Sequence, residues 1–358
     1  MRVTQKDIAR SLNLSQSTIA KVLNDRPDVW VSDETRRRIH VAAAEAGYRP
    51  NAAARALSTG KTNSVALVFQ RPAHNDYRIG FAEVTEVLAE FLGEHGYELS
   101  VKVLPDREQV LSRLDDLARS RACDAVVLWD DEVSIEEQAL TLEELSVPFL
   151  VKGRFETVHP DWPQVDFDHE QMMIRVVRHL ADRGHRRIAL MRHDNELAYS
   201  RYFDAGFHQG MADILGAAPD PQLVRRVGAG RVNASTQILE WMRLPESVRP
   251  TAVVMAAGRT AWEGIEQGLA SIGRKIGDGP GDIAVAGQGR HSLPLTFGHG
   301  YAYVGIDYFA LAKAMADKLL WPLLNDKLPE GSRVIRVLPE LQPTDSLNMS
   351  DYITFRST

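Results

Sequence analysis

Short apolar segments alternate with helical segments from residue 63 almost to the end of the chain, and this alternation limits the possible folds more than any other feature. Segments 65–69 and 125–129 are apolar runs of strand length, and segment 79–94 repeats apolar residues at helical spacing. Buried apolar strands that alternate with helices form doubly wound parallel sheets. The number of elements exceeds one such domain, so two lobes are expected. The other predicted strands lie at 99–103, 149–151, 188–191, 251–255, 283–286 and 302–306, and the other predicted helices at 171–183, 201–215, 260–272 and 309–324.

The first part of the chain has a different pattern, which predicts two short helices joined by a tight turn. Thr4 and Asp7 have the spacing of a capping box, and Asn13 suits the left-handed turn that ends the first helix. Ser15 is the expected N-cap of a second helix at 16–23. Such a pair forms a helix-turn-helix, whose second helix lies in the DNA major groove. A small helical bundle with a solvated polar face is the alternative interpretation.

The polar face of the second helix predicts which side chains would contact DNA. Gln16 can pair with adenine, Ser17 with several bases, and Lys21 with the acceptor atoms of guanine. Other short polar side chains suit phosphate contacts, which set the register on the duplex rather than the sequence preference. These phosphate-contact candidates are Ser15, Thr18 and Asn24.

Two further segments complete the N-terminal module. Ser32 would cap a third helix, which Gly47 would end. Asn51 would cap a helix of about seven residues, which is too short to persist alone in water and leaves Leu57 uncovered. Both features are explained if this helix folds on DNA and Leu57 wedges into the minor groove.

Basic residues are concentrated in this N-terminal module. Residues 1–62 hold 11 Lys and Arg and 6 Asp and Glu, whereas the remainder of the chain holds 31 and 42. The net charge of −6 alone would argue against nucleic acid. A small basic module attached to a larger acidic body is, however, the distribution expected of a DNA-binding head joined to a separate sensing domain.

Residues 3–63 resemble the head of the lactose-repressor (LacI/GalR) family of bacterial regulators. The resemblance is carried by VTQKDIA (3–9), LSQSTIAKVLN (14–24), VSDETR (31–36) and GYRPN (47–51). It implies that Gln16, Ser17 and Lys21 read bases. The family usually has Arg at the position of Lys21, so guanine readout is expected to be weaker here, because Lys lacks the bidentate fork.

The same resemblance implies a minor-groove contact. Leu57 matches the family's intercalating leucine, and Ala54 matches its neighbour in the groove. The full set of predicted DNA-binding residues is Thr4, Ser15, Gln16, Ser17, Thr18, Lys21, Asn24, Asn51, Ala54, Arg55 and Leu57.

The rest of the chain resembles the family's effector-binding core, which is similar to periplasmic sugar-binding proteins. RGHRRIA (183–189), Gly206-Phe207 and RPTAV (249–253) carry this resemblance. The expected fold class is therefore α/β, with an all-α helix-turn-helix head and a two-lobed, periplasmic-binding-protein-like core of doubly wound parallel sheets.

The resemblance also predicts the domain boundaries. The head is expected at 1–50, a hinge helix and linker at 51–62, and the effector-binding and dimerisation core at 63–358. The chain is expected to cross between the lobes near 165, 290 and 325. The first lobe would then hold 63–164 and 292–325, and the second lobe 165–291 and 326–345.

In such folds a ligand binds between the lobes, beyond the carboxyl ends of the strands. An indole face stacks on a sugar ring, while Asp and Arg form hydrogen bonds with its hydroxyl groups. For each candidate the alternative is an ordinary surface loop residue. The predicted effector-binding residues are Gln70, Arg71, Trp129, Asp130, Arg154, Asp168, Tyr199, Arg201, Arg259, Gln288 and Arg290.

Departures from the family pattern leave the charge of the effector open. Gly258-Arg259 stands where many members have Asn-Asp, Gln288-Gly289-Arg290 where many have an aromatic residue and two Asp, and Gly153 where many have Asp. A site containing Arg154, Arg201, Arg259 and Arg290 would favour an acidic ligand such as a uronate or a sugar phosphate. Some sugar-responsive branches share the Gly-Arg and Val-Asp-Phe-Asp (165–168) pattern, so a neutral oligosaccharide is the first hypothesis.

The sequence therefore predicts a homodimeric, sequence-specific DNA-binding transcription regulator, by default a repressor. Its partners would be double-stranded operator DNA and a small carbohydrate. A periplasmic binding protein is one alternative, but the polar N-terminus lacks the apolar core of a signal peptide, so a cytoplasmic location is expected. A sugar-active enzyme with an appended head is the other alternative. No G-x-S-x-G, H-E-x-x-H or P-loop motif is found, so neither a catalytic residue, a metal nor a cofactor is expected.

Two remaining features concern assembly. Cys123 is the only cysteine, which excludes an internal disulfide and suits a reducing compartment. A dimer is expected through the body of the chain, using the helices that start near Ile79 and Arg259. The segment from Gln342 to Thr358 has no heptad pattern, so no tetramerising coiled coil is expected.

Overall fold

The computed structural model describes residues 3–23, 30–48, 56, 60–70, 78–129, 132–155, 157–195, 197–228, 230–277, 279–289, 301–328, 333–339 and 341–343. Within these residues the chain forms an all-helical head and two α/β lobes, as the sequence predicts. The helices of the head are α1 (Gln5–Leu12), α2 (Gln16–Leu23) and α3 (Asp33–Glu45).

A small apolar core holds the head together. Ile8 comes from α1, Ile19 and Val22 from α2, and Ile39 and Ala43 from α3, and all five are buried. The cluster, including its partly buried members, lies entirely within residues 3–48. Because each helix buries only one face here, its other face is available for contacts outside the head.

The polar capping signals in the head act as predicted. Asn13 adopts the left-handed conformation, with φ 54°, and ends α1. The Ser15 hydroxyl accepts a hydrogen bond from the Thr18 backbone N–H at 3.0 Å. The Ser32 hydroxyl accepts one from the Thr35 backbone N–H at 3.2 Å. Each bond satisfies a backbone donor that has no partner within its own helix.

The first lobe contains a six-stranded parallel sheet with strand order β11-β5-β4-β3-β1-β2. In the interior strand β1 (Ser64–Gln70), Val65 and Leu67 enter one apolar cluster, and Ala66 and Val68 enter the other. The sheet is therefore covered on both faces, which explains why its strands are continuously apolar. Its strands are β1 (Ser64–Gln70), β2 (Glu98–Leu104), β3 (Ala125–Trp129), β4 (Phe149–Lys152), β5 (Gln164–Phe167) and β11 (Val334–Val337), and its helical segments are α4 (Arg78–Glu94), α5 (Arg107–Arg119), α6 (Glu132–Glu144), α11 (Tyr308–Met315), a π-helical turn (Ala316–Leu320) and α12 (Trp321–Leu324).

The second lobe repeats this architecture. Its sheet has the order β12-β10-β9-β8-β6-β7, with only β12 antiparallel to its neighbour. Val253 and Met255 of the central strand face one apolar cluster, and Ala252 and Val254 face the other. Its strands are β6 (Ile188–His193), β7 (Val224–Val227), β8 (Ala252–Ala256), β9 (Ala284–Gly289), β10 (Tyr301–Gly305) and β12 (Leu341–Pro343), and its helices are α7 (His169–Asp182), α8 (Ala198–Leu215), α9 (Arg231–Met242) and α10 (Gly258–Ala270).

Two late strands join the sheets differently from the predicted lobe boundaries. β10 pairs with β9 in the second sheet, although 292–325 was expected in the first lobe. β11 pairs with β5 in the first sheet, although 326–345 was expected in the second lobe. The chain thus crosses between lobes after β5, after β10 and after β11. Both strands are short. The sheet that each strand joins depends on its pairing with strands distant in sequence and not on its local sequence pattern.

Some elements carry no clear sequence signal. β5 is fully buried, yet Gln164 and Asp166 interrupt its apolar residues. The glycine-rich stretch before residue 231 reads as a loop, whereas α9 begins directly at Arg231. None of the helices in the described part of the chain is long and apolar enough to cross a membrane.

Candidate DNA-reading helix and inter-lobe effector site

Helix α2 separates an apolar face from a polar face. Ile19 and Val22 are fully buried in the head, whereas Gln16, Ser17 and Lys21 are exposed. The three predicted base-reading side chains therefore lie on the solvent side of a helix whose position is fixed by packing. These side chains can therefore meet base edges without disturbing the core.

Two of the predicted phosphate-contact residues also build the start of this helix. The hydroxyl groups of Ser15 and Thr18 lie 2.7 Å apart, in addition to the capping bond from the Thr18 backbone. Both residues therefore sit at the N-terminal end of α2, where exposed backbone N–H groups also favour phosphate oxygens. A phosphate contact by either hydroxyl group would therefore involve a residue that also forms the N-cap of α2.

Thr4 performs a similar structural task for α1. Its backbone N–H and its hydroxyl both donate to the Asp7 carboxylate, at 3.0 and 2.7 Å. These hydrogen bonds lower the pKa of the exposed Asp7 carboxyl group. Thr4 is exposed, so its predicted DNA contact is compatible with the cap.

Several predicted residues fall outside the described part of the chain. In the DNA-binding set these are Asn24, Asn51, Ala54, Arg55 and Leu57. In the effector set they are Arg71, Asp130 and Arg290, and the side chains of Arg259 and Gln288 are likewise not described.

Sequence reasoning missed one conspicuous side chain in the head. Trp30, just before α3, is fully exposed. Large aromatic side chains are usually at least partly buried, so this exposed indole is a candidate contact residue of the head. The signal was available in the sequence, since no apolar neighbour at helical or strand spacing accounts for Trp30.

Aromatic side chains from the first lobe gather near the carboxyl ends of its strands. Trp129 ends β3, and its ring centroid lies 5.9 Å from that of Tyr308 and 5.9 Å from the Lys152 Nζ. Phe167 ends β5 and lies 5.4 Å from Tyr308 in an edge-on arrangement. The predicted stacking residue Trp129 is only 4% exposed, so it is one wall of an aromatic cluster rather than a freely presented face.

A buried charged cluster stands where the chain first passes between lobes. Lys152 on β4 lies 3.2 Å from the Asp166 carboxylate on β5, and the His169 ring at the start of α7 lies 3.7 Å from it. Burial alone would raise the pKa of Asp166, but Lys152 and then His169 outweigh it and hold the pKa well below its usual range. Asp166 is therefore ionised. Its carboxylate lies between the Lys152 ammonium group of the first lobe and His169, the first residue of α7 in the second lobe.

Arg154 is already occupied by partners from the other lobe. Its Nη1 lies 3.1 Å from the Glu170 carboxylate in the first turn of α7. Its guanidinium lies 3.9 Å from the centre of the Tyr202 ring on α8. The structure thus brings Arg154 to the predicted region but pairs its charge, which the sequence did not reveal. Tyr202 and Glu170 are functional candidates that sequence reasoning missed.

A second paired arginine lies within the second lobe. Arg192, near the end of β6, is 2% exposed, and its Nε lies 2.7 Å from the Asp204 carboxylate on α8. Arg192 also donates to the backbone carbonyl groups of His193 and Asn195, at 2.8 and 3.2 Å. The guanidinium therefore fixes the loop that follows β6.

The other predicted effector residues occupy the expected ends of strands and starts of helices. Asp168 caps α7, because its carboxylate accepts the Gln171 backbone N–H at 3.1 Å. The Tyr199 hydroxyl accepts a hydrogen bond from the Asn195 side-chain amide at 2.9 Å. Arg201 is exposed on α8.

Two of the side chains that have buried polar atoms without a hydrogen bond among the described residues lie at a strand end and at a helix start near the first crossing between lobes. The side-chain oxygen of Gln70, at the end of β1, is one, and the ring nitrogens of His169 are the other. Buried polar atoms are normally satisfied, so each is an available position for a polar ligand or for water. They belong to different lobes, at the carboxyl end of β1 and the N-terminus of α7.

The helix-turn-helix head and the paired α/β lobes together define a class of protein: a DNA-binding regulator controlled by a small molecule. Comparison with known proteins identifies the family. Residues 4–51 match the "Bacterial regulatory proteins, lacI family", and residues 62–288 match the "Periplasmic binding proteins and sugar binding domain of LacI family". The chain belongs to the LacI family of transcription regulators, and its named relatives are regulators rather than enzymes.

Individual relatives and solved structures agree with this assignment. The regulator AglR of Rhizobium meliloti (strain 1021) is 34% identical over 77% of this chain and 76% of its own. The regulator RafR of Escherichia coli is 29% identical over 70% and 71%. A Lac repressor dimer bound to operator has a TM-score of 0.71 at 21% identity, covering 97% and 100% of the two chains. A CelR–cellobiose complex has a TM-score of 0.63 at 21% identity, covering 95% and 98%.

Proposed function

We propose that the protein is a homodimeric repressor that binds operator DNA through its head and is released when a neutral saccharide occupies the region between the lobes. The effector is a neutral oligosaccharide rather than an acidic sugar or a sugar phosphate. The charge pairing near the carboxyl ends of the strands is the observation that carries this choice.

Three of the described cations in this region have carboxylate partners. Arg154 pairs with Glu170, Arg192 with Asp204, and Lys152 with Asp166. An anionic ligand would have to displace these carboxylates or lie beside them, and uncompensated like charges in a shielded site cost several kcal/mol. A neutral ligand leaves all three pairs intact.

The remaining side chains suit a ring with many hydroxyl groups. Tyr308, which is half-buried against the buried Trp129, supplies aromatic surface, and Gln70 and His169 supply polar atoms without a hydrogen bond among the described residues. Saccharide sites combine an apolar ring face with a few placed hydrogen-bonding groups. The resemblance of the fold to a regulator solved in complex with cellobiose supports the same class of ligand.

The proposed DNA contacts follow from the exposed face of α2. Gln16, Ser17 and Lys21 would read bases in the major groove, and Leu57 would enter the minor groove between two heads. Thr4, Ser15 and Thr18 would contact phosphates. Lys21 supplies a single point charge, so its contribution to discrimination is smaller than that of an arginine.

The edge strand of the first lobe supports dimerisation. Among the described strands β2 pairs with β1 alone, and its Val101 and Val103 are 37% and 41% exposed. Exposed apolar residues on an unprotected edge are normally covered by a partner. The proposed interface is formed by β2 and α4 of the first lobe together with α10 of the second, facing the same elements of a second copy.

Calorimetric titration of the full-length protein tests the ligand class. The panel contains cellobiose, maltose, melibiose and sucrose as neutral disaccharides, and glucuronate and glucose 6-phosphate as acids. Binding of a neutral disaccharide, with an affinity that does not change between low and high salt, is expected. Salt-sensitive binding of the acids alone would overturn the choice of a neutral effector.

A separate experiment tests DNA binding. Selection from randomised duplexes at moderate salt should recover a pseudo-palindromic sequence, and the bound disaccharide should release the protein from it. Failure to enrich any duplex, with and without saccharide, would overturn the regulator function itself.

A further inference from the structure

A single carboxylate fastens the end of the head-to-core linker to the first lobe. Oδ1 of Asp124 accepts hydrogen bonds from the Thr62 backbone N–H and hydroxyl, at 2.7 and 2.8 Å. Oδ2 accepts one from the Asn63 backbone N–H at 2.9 Å. Three donors on two consecutive residues thus converge on one side chain, which is the geometry of a charge-assisted clamp.

The surrounding contacts hold the same stretch from other sides. Asn63 is in the left-handed conformation, with φ 53°, and its side-chain amide donates to the Gly96 carbonyl at 3.2 Å. The Asn63 carbonyl accepts the Glu98 backbone N–H, and the Ser64 carbonyl accepts that of Asp124, both at 2.8 Å. The backbone is therefore fixed in a sharp turn before it enters β1.

A further contact reaches the linker from the end of the last long helical segment. The Lys61 Nζ donates to the Leu324 carbonyl at 3.0 Å, at the C-terminal end of α12. The continuous helical stretch that ends there begins with Tyr308, which lies against Trp129 near the carboxyl ends of the strands. One helical rod thus joins the aromatic cluster to the linker.

Gly60 and Lys61 directly precede the clamped residues. The Gly60 backbone N–H donates to the Ala56 carbonyl at 2.8 Å, and Gly60 has φ 74°, a conformation typical of a helix end. Lys61 alone separates Gly60 from the clamped Thr62. A short tether fixed at one end passes on any displacement of the body to which it is fixed.

We infer that Asp124 is a positioning residue: its clamp on Thr62 and Asn63 fixes the end of the linker to the first lobe, so that movement of this lobe is passed to the linker and changes DNA binding by the head. The inference rests on the proposed function, because it assumes that a saccharide changes the position of the lobes. A purely structural role would stabilise the start of β1 without affecting the response of DNA binding to saccharide.

The test compares the full-length wild type with Asp124→Asn and with a matched control, Asp116→Asn. Asp116 lies on the same lobe, is exposed and is 3.8 Å from Arg113, its ion-pair partner, so its substitution removes the same charge without touching the linker. The DNA probe is the duplex selected on the wild type. The saccharide probe is the disaccharide that binds the wild type most tightly among cellobiose, maltose, melibiose and sucrose.

Three measurements test the positioning role of Asp124. Tryptic cleavage after Lys61 should be about 10-fold faster in Asp124→Asn, because the scissile backbone is released from the clamp. The saccharide Kd should stay at the wild-type value. The ratio of operator Kd values with and without saccharide should fall towards one, because the coupling free energy between the two sites is lost. Asp116→Asn should match the wild type in all three.

Other outcomes separate the two proposals. A wild-type saccharide response in Asp124→Asn would overturn the positioning role while leaving the proposed function in place. A lowered Tm with an unchanged response would do the same, since it identifies a structural role only. If no disaccharide of the panel binds the wild type, the neutral-effector proposal fails. In that case tryptic cleavage and operator affinity without ligand test the role of Asp124. Both should change in Asp124→Asn and should stay at the wild-type value in Asp116→Asn.

Discussion

The guanidinium of Arg154 lies 3.1 Å from the carboxylate of Glu170, and this ion pair joins the two lobes. Arg154 follows β4 of the first sheet, and Glu170 lies in the first turn of α7, whose apolar face packs in the second lobe. The Arg154 side chain is only 9% exposed, so solvent screens the pair less than a surface pair. It therefore favours the angle between the lobes at which the two groups meet.

A double-mutant cycle measures this contact. We expect Arg154→Met and Glu170→Gln each to lower the free energy of unfolding in urea, and the double variant to lose less than the sum. The coupling should be about 0.5–3 kcal/mol, the range for residues in direct contact. The control is the exposed pair Arg119 and Asp115 on α5, which should show a smaller coupling. Strictly additive effects at Arg154 and Glu170 would show that the pair does not stabilise this arrangement of the lobes.

The buried Lys152–Asp166 pair predicts a large penalty for removing one partner. Asp166→Asn leaves the Lys152 cation without its carboxylate 3.2 Å away, which should cost about 3–5 kcal/mol at neutral pH. The double variant Lys152→Met/Asp166→Asn should recover much of that loss, because no uncompensated charge remains. Urea unfolding at neutral pH measures both changes.

The same pair predicts a pH dependence with a definite sign. The pKa of Asp166 is lower in the folded protein than its unfolded value of about 3.9. Its stabilisation is therefore complete above that unfolded value and is lost as the pH falls towards the folded value. The stability difference between the wild type and Asp166→Asn should be constant from neutral pH to about pH 5 and shrink below about pH 4. A difference that grew on acidification would contradict the assignment.

Cys123 should be an unreactive thiol. Burial, followed by the charge of the neighbouring Asp124, raises the pKa of Cys123 to about 11. Since the thiolate is the reactive form, alkylation by iodoacetamide at about pH 8 should be about 100-fold slower than for a free cysteine. Asp124→Asn should accelerate it, whereas Asp116→Asn should not. Alkylation of the folded protein at the rate seen in urea would refute this.

The head predicts two separable effects of substitution. Ser15→Ala removes the cap of α2 and should destabilise the head by about 1 kcal/mol in thermal unfolding. Gln16→Ala removes an exposed side chain and should leave stability unchanged. It should instead relax the preference at one base pair of the selected duplex, by about 1–3 kcal/mol in competition binding. A Gln16→Ala protein with wild-type preference at every position would exclude Gln16 from base reading.

Local signals predicted the head and most strands because they act within a few residues of one another. Asn13 ends α1 and Ser15 caps α2 through contacts within a single turn. The residues of β3 are all apolar, so their burial follows from their own sequence. β5 was missed because its Asp166 is buried only with the help of Lys152 on the adjacent strand. Pairing between distant segments has no local signature.

The candidate site likewise combines features that local sequence predicts with features that depend on distant segments. The rule that ligands bind at the carboxyl ends of strands led to Trp129, which ends β3, and to Arg154, which contacts Glu170 and Tyr202 of the second lobe. It could not show that Glu170 neutralises Arg154, because that contact depends on how the two lobes face each other. The alternative of an acidic ligand rested on the number of arginines, and the sequence does not show that Glu170 is the ion-pair partner of Arg154.

The order in which the chain completes its parts has a consequence during synthesis. The apolar core of the head uses only residues 3–48, whereas each sheet gains its last strand, β11 or β12, close to the C-terminus. On the ribosome the head can therefore reach its final packing long before either lobe is complete. A chain truncated late in translation would carry a folded head without a complete effector-binding core to control it.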